Sequence, residues 1–86
     1  MYLHLGQDVL VAYKDIIGIF DLDTTTVSKT SRDFLRDAEK AGRVVYVGTE
    51  LPKSFVLCSQ EKNDSKVYIA QLSSSTLLKR AESLIK

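Results

Sequence analysis

Tryptophan is absent, and one cysteine, one histidine and one proline stand among the 86 residues. A lone cysteine cannot close a disulfide within the chain. The fold must therefore hold by core burial or by association, and a reducing compartment is the default setting. Few glycines, few prolines and a 44% hydrophobic share exclude a disordered or low-complexity polymer. Neither sign of charge dominates. Twelve Lys+Arg face eleven Asp+Glu for a formal net charge of +1, too little for a nucleic-acid binder that works through net charge alone. Long hydrophobic runs are missing as well: Val9 to Tyr13 and Ile16 to Phe20 fall far short of the roughly 18 residues a membrane span needs. The opening, Met1 to Asp8, has no basic region, no long apolar region and no small-residue cleavage site. A cytoplasmic chain with no membrane partner is expected.

The length suits one small domain over residues 1–86, with no internal repeat and no linker. So short a domain buries a modest fraction of its surface and has a narrow stability margin. A segment apolar on both faces then needs cover from a helix or from another subunit. Ile16-Ile17-Gly18-Ile19-Phe20 is such a segment, and it leads to the expectation of a homo-oligomer.

Periodicity predicts strands at Tyr2 to Leu5 and Val9 to Tyr13, joined by a loop of about three residues at Gly6-Gln7-Asp8. Lys14-Asp15 punctuates, and a third strand runs from Ile16 to Asp21. With no helix between them, these neighbours should pair antiparallel. Residues 23–29 are polar and hydroxyl-rich and suit a loop. Thr30-Ser31-Arg32-Asp33 fits a capping box opening a helix that Gly42 closes. Phe34, Leu35, Ala38 and Ala41 share one arc of it, and Arg32, Arg36, Lys40 and Arg43 another. Further strands follow at Val44 to Val47, Ser54 to Ser59 and Lys66 to Gln71, with a loop at Gly48 to Lys53 and a polar turn at Gln60 to Ser65. Ser73-Ser74-Ser75 offers N-cap oxygens to a last helix over Thr76 to Lys86, whose apolar members are Leu77, Leu78, Ala81, Leu84 and Ile85. The order βββαβββα implies an α+β fold with mainly antiparallel strands.

Residues for catalysis are scarce. A thiolate–imidazole pair would need His4 and Cys58 within hydrogen-bond reach, but Cys58 lies in Phe55-Val56-Leu57-Cys58, where a small buried hydrophobe is the ordinary role. Asp21 and Asp23 form a D-x-D pair that nothing further along completes into an oxygen cage, and the scattered glycines make no phosphate-binding loop. No enzyme activity, metal, cofactor or small-molecule substrate is expected. The stripe Arg32, Arg36, Lys40 and Arg43 is the strongest electrostatic feature, with a spacing that would let one helix face track phosphates. Asp33, Asp37 and Glu39 border it and cut its field.

Several short motifs recur together in order: Met1-Tyr2-Leu3-His4-Leu5-Gly6, Lys14-Asp15-Ile16-Ile17, Asp37-Ala38-Glu39-Lys40-Ala41-Gly42 and Pro52-Lys53-Ser54. Over about residues 1–80 the chain resembles the bacterial extracellular-matrix regulator family, RemA and RemB, and its start looks most like the RemB branch. The resemblance implies a cytoplasmic, non-enzymatic regulator of biofilm-matrix genes. For the RemA branch it implies DNA binding by ring-shaped oligomers built on a fold similar to the LytTR DNA-binding domain. Carried over residue by residue, it points to Lys14 before the third strand and to Lys53 in the loop before the fifth. Glu50 and Leu51 stand where the RemA pattern has adjacent arginines, so the guanidinium fork for phosphate or guanine edges is missing. Candidate DNA contacts are therefore Lys14 and Lys53 first, then Arg32, Arg36 and Arg43 by helical spacing. A scaffold that acts through protein contacts is the alternative.

Overall fold

The computed structural model describes residues 1–22, 29–59 and 65–84, with the side chains of residues 29–31 and of Leu84 left aside. Strand β1 (Tyr2–Gly6) pairs antiparallel with β2 (Val9–Ala12). Gly6 at φ +119° and Gln7 at φ +52° make the tight return, and pairing of Gly6 with Val9 leaves a turn of two residues, not three. The Tyr13 N–H donates to the Met1 carbonyl at 2.9 Å and closes the open end of the hairpin.

The expected pairing of the second and third strands does not occur. A single 3-10 turn at Tyr13–Asp15 redirects the chain, and β3 (Ile16–Asp21) enters a different sheet. That sheet has the order β3-β5-β6-β4, with β4 at Val44–Tyr46, β5 at Ser54–Ser59 and β6 at Ser65–Ala70. β5 runs antiparallel to both β3 and β6, whereas β4 lies parallel to β6. Among the described residues the element order is the expected βββαβββα, and the fold is α+β with an antiparallel two-stranded sheet and a mixed four-stranded sheet.

Side-chain alternation sends successive strand residues to opposite faces of the four-stranded sheet. Val56, Cys58 and Ala70 turn toward the hairpin and helix α2 (Ser74–Leu84), where they pack with Leu3, Leu5, Val11 and Leu77. Phe55, Val67, Leu57 and Ile69 turn the other way, onto Ala38, Phe34 and Leu35 of helix α1 (Lys29–Lys40). Each fully buried leucine in such a site stabilises the fold by about 1.5–3 kcal/mol.

Both helix ends follow from local chemistry, though not always as expected. α1 is already helical at Lys29, so Thr30 lies inside the helix and not at its N-cap, and Asp33 pairs with Arg36. At the other end Gly42, at φ +74°, donates to Glu39, and Arg43 N–H donates to the Ala38 carbonyl at 2.9 Å. That pair of bonds is a Schellman close. α2 starts two residues before the expected Thr76, and the Ser73 hydroxyl accepts from the Thr76 N–H at 3.2 Å as its N-cap. Leu77 and Ala81 are buried, but Ala41 is exposed and Leu78 is 48% exposed, so the apolar arcs of both helices are narrower than their sequences suggest.

Candidate nucleic-acid interface

Lys14 stands exposed on the 3-10 turn that leads into β3. Lys53 stands exposed just before β5, on a backbone held from both sides: its N–H donates to the Ala70 carbonyl and its own carbonyl accepts from Leu22 N–H, each at 2.9 Å. The register between β3 and β5 sets Ile16 opposite Cys58 and Asp21 opposite Ser54. Lys14 and Lys53 therefore lie beyond opposite ends of one ladder, which is itself roughly 16 Å long by strand rise. The fold does not bring them together. A cation that the sequence reading passed over, Lys66, lies at the Lys14 end, because Cys58 pairs with Ile16 on one side and with Lys66 on the other. Its ammonium sits 5.9 Å from the Tyr68 ring centroid. The signal was available: residues two apart on a strand share a face.

The helical stripe divides. Arg32, Arg36 and Lys40 are exposed on α1 and, with Leu35 and Glu39, line a shallow depression of about 480 Å³. Arg36 is engaged by Asp33 at 2.5 Å. Glu39 accepts a hydrogen bond from the Tyr46 hydroxyl at 2.7 Å, which holds the Tyr46 phenol above its ordinary pKa and keeps a carboxylate within the stripe. Arg43 leaves it altogether. Gly42 turns the chain, and the Arg43 guanidinium donates to the Ser65 hydroxyl at 2.6 Å and to the Ser65 carbonyl at 3.3 Å. The helical spacing that placed Arg43 beside Arg32 and Arg36 ends where the helix ends.

The loop between β4 and β5 carries Glu50 and Leu51, both exposed. It begins at Gly48, φ +93°, where a Cβ would collide with the Gln71 side chain. With the Gln71 amide oriented to present its oxygen, the backbone N–H groups of Thr49 (2.8 Å) and Glu50 donate to it. A buried Ser54 hydroxyl, donating to the Leu72 carbonyl at 2.7 Å, anchors the start of β5.

His4 and Cys58 do not form a pair. Cys58 is sealed in the core between sheet and hairpin, where burial, helped by the Asp15 charge, pushes the thiol up to about 11. His4 faces outward from the hairpin and is in hydrogen-bond contact with the Gln7 carbonyl, 2.6 Å from Nε2. Its backbone carbonyl accepts from the Arg80 guanidinium at 3.0 Å, a tie between α2 and β1 that composition does not foretell. Among the described residues no three His, Cys, Asp or Glu side chains gather as metal ligands; Asp23 of the D-x-D pair lies outside the described residues. Among them, too, no helix is long and apolar enough to cross a membrane.

No protein-family model matches the chain. A curated relative does: extracellular matrix regulatory protein B of Bacillus subtilis strain 168 is 40% identical over 82 residues, which is 95% of this chain and 91% of that protein. The match spans nearly the whole chain, and the relative is of the branch to which the short motifs pointed. Identity of that degree across nearly the whole of both proteins places the chain in the extracellular-matrix regulatory protein B (RemB) family.

Proposed function

We propose that this protein is a cytoplasmic, non-enzymatic regulator of extracellular-matrix gene expression. It works as a homo-oligomer of LytTR-like domains that contacts DNA through weak cationic contacts repeated from copy to copy. The observation that carries this reading is the dispersal of its cations. Lys14 and Lys53 sit at the two ends of the β3–β5 ladder, Arg36 is paired with Asp33, and Arg43 is bonded to Ser65. One copy thus offers phosphates a few separate charges and no adjacent pair of arginines. Repetition converts such contacts into useful affinity, because each further contact becomes intramolecular. The edge strand β3 supplies apolar surface for self-association, with Ile17 60% and Phe20 43% exposed.

The loop supports a second reading. Glu50 repels phosphate and Leu51 is 79% exposed, a combination that favours a protein contact over a DNA contact. Titration of long AT-rich and mixed duplexes across salt separates the two. Under the DNA reading, binding is steeply salt-dependent, and Lys14→Ala and Lys53→Ala each weaken it on all sequences and lower the salt slope by about one. Glu50→Arg combined with Leu51→Arg strengthens binding to a duplex too short to hold two copies. Absence of binding by parent and variants at low salt leaves the scaffold reading in its place.

A further inference from the structure

The outer side of α1 carries a surface that neither the core nor the sites at Lys14 and Lys53 use. Its depression is lined by Arg32, Leu35, Arg36, Glu39 and Lys40, and most of its wall is apolar although four of these five residues are charged. The aliphatic stems of the long side chains supply that wall beside Leu35, and the charged heads stand round its rim. An apolar centre inside a polar, arginine-bearing rim is the anatomy of a protein–protein contact, not of a phosphate track.

Helical spacing sets Arg32, Arg36 and Lys40 in one row, roughly 12 Å long at 1.5 Å per residue. Leu35 and Glu39 fall on one flank of that row, and Asp33 and Asp37 fall on the other. The depression lies on the Leu35 flank, so it meets three cations and one carboxylate. Two of those charges are held in place. Asp33 takes one nitrogen of Arg36, Nη2, and a guanidinium has donors on two more. The Tyr46 hydroxyl donates to Glu39 Oε2, and the Tyr46 side chain, 57% exposed, adds an aromatic ring at that edge.

We propose that this face docks an acidic amphipathic helix of a partner protein. Carboxylates one turn apart on that helix pair with Arg32, Arg36 and Lys40, and an apolar side chain fills the depression over Leu35. Spacing alone suits Arg32 and Arg36 to phosphates. A duplex, however, brings no apolar group to the depression and sets its charge against Glu39 as well as against the cations. A helix places a neutral residue there. The inference goes beyond the regulator reading and needs neither DNA contact nor self-association.

The test is fluorescence anisotropy at low salt, with a labelled helical peptide of about 15 residues that carries glutamates four apart beside a row of leucines. The parent binds it, and binds its glutamine counterpart about tenfold more weakly. Arg32→Glu and Lys40→Gln each weaken binding of the acidic peptide by about fivefold or more. Lys79→Glu, the same charge change as Arg32→Glu but on α2, leaves it unchanged. All three side chains are exposed, so the variants keep the parent's thermal melt. Glu39→Gln keeps an acceptor for Tyr46 and removes a repelling charge, so it tightens binding by about twofold. Lys14→Ala and Lys53→Ala leave the peptide's affinity unchanged, which separates this surface from the DNA reading. No binding, equal binding of the two peptides, or equal losses from Arg32→Glu and Lys79→Glu overturns the proposal and leaves the DNA reading standing. If Arg32→Glu weakens a duplex and not the peptide, the row tracks phosphates and the proposal falls.

Discussion

Where the hairpin and α2 cover the four-stranded sheet, Leu3, Leu5, Val56 and Leu77 are sealed from solvent; where α1 covers it, Phe34, Leu35, Val44 and Leu57 stay half-buried around Ala38, Phe55 and Val67. The difference has a simple cause. Two elements share the first face, and Arg80 ties them together through the His4 carbonyl. One helix alone covers the second, and it leaves the β3 edge partly open. Phe20 lies at that edge, stacked on Phe55 at 4.8 Å between centroids and folded over Gly18, where a Cβ would fall 2.8 Å from its ring. Stability is thus concentrated on the hairpin side. The α1 side is the thinner one, and it turns a charged stripe outward.

The largest expected effect tests that contrast directly. Leu5→Ala removes a fully buried side chain and should cost about 2–5 kcal/mol in urea unfolding, whereas Leu35→Ala, half-exposed already, should cost about 1 kcal/mol. Equal losses would break the comparison.

A smaller effect is expected at Cys58. Cys58→Ala should cost on the order of 1–2 kcal/mol. Its folded thiol pKa, about 11, lies above the ordinary 9.0 because the thiolate cannot be solvated in the core. A raised pKa means that the folded state holds the proton more tightly. This contribution to stability is complete below about pH 9 and is lost as pH rises from about 9 through 11. Tyr68, raised chiefly by burial and then by Cys58 and Asp15, acts in the same direction. Unfolding free energy should therefore fall across that window, less steeply in Cys58→Ala, and thiol labelling of the native protein at neutral pH should be slow. Fast labelling would mean that the hairpin side opens readily and is not where stability is concentrated.

The smallest expected effects are at the helix ends, and they sharpen the contrast without packing changes. Ser73→Ala removes the N-cap of α2 and should cost about 1 kcal/mol. Gly42→Ala meets no atom within 4 Å, so its cost is backbone strain at φ +74° alone, also about 1 kcal/mol. Hydrogen exchange should place the two losses in different regions, with α1 amides loosened by the second and not by the first.

The bounds of β3 and β5 were legible residue for residue, because short apolar runs with β-branched residues between polar punctuation leave few other readings. Ser73 and Gly42 were legible as helix punctuation for the same local reason. Lys14 and Lys53 were legible as exposed cations, but not their separation, which depends on the antiparallel register of strands far apart in sequence. Arg43 was misplaced in the stripe because helical spacing says nothing about where the helix turns off. The shared face of Lys66 and Tyr68 was legible at a spacing of two, but the place of Lys66 at the Lys14 end was not, because strand order in the sheet sets it and a linear reading does not contain that order.

By itself the sequence determined the kinds and order of the elements, the buried role of Cys58 and the charge of each exposed site, since these depend on side-chain chemistry and on spacings of two to four residues. Only the tertiary structure decided that the first two strands leave the main sheet, that β4 lies parallel to β6, and that Lys14 and Lys53 stand at opposite ends of one ladder. Those are pairings between distant segments. They are chosen by which arrangement of all the elements buries Leu3, Leu5, Val56 and Leu77 together, and no short stretch of chain carries that choice.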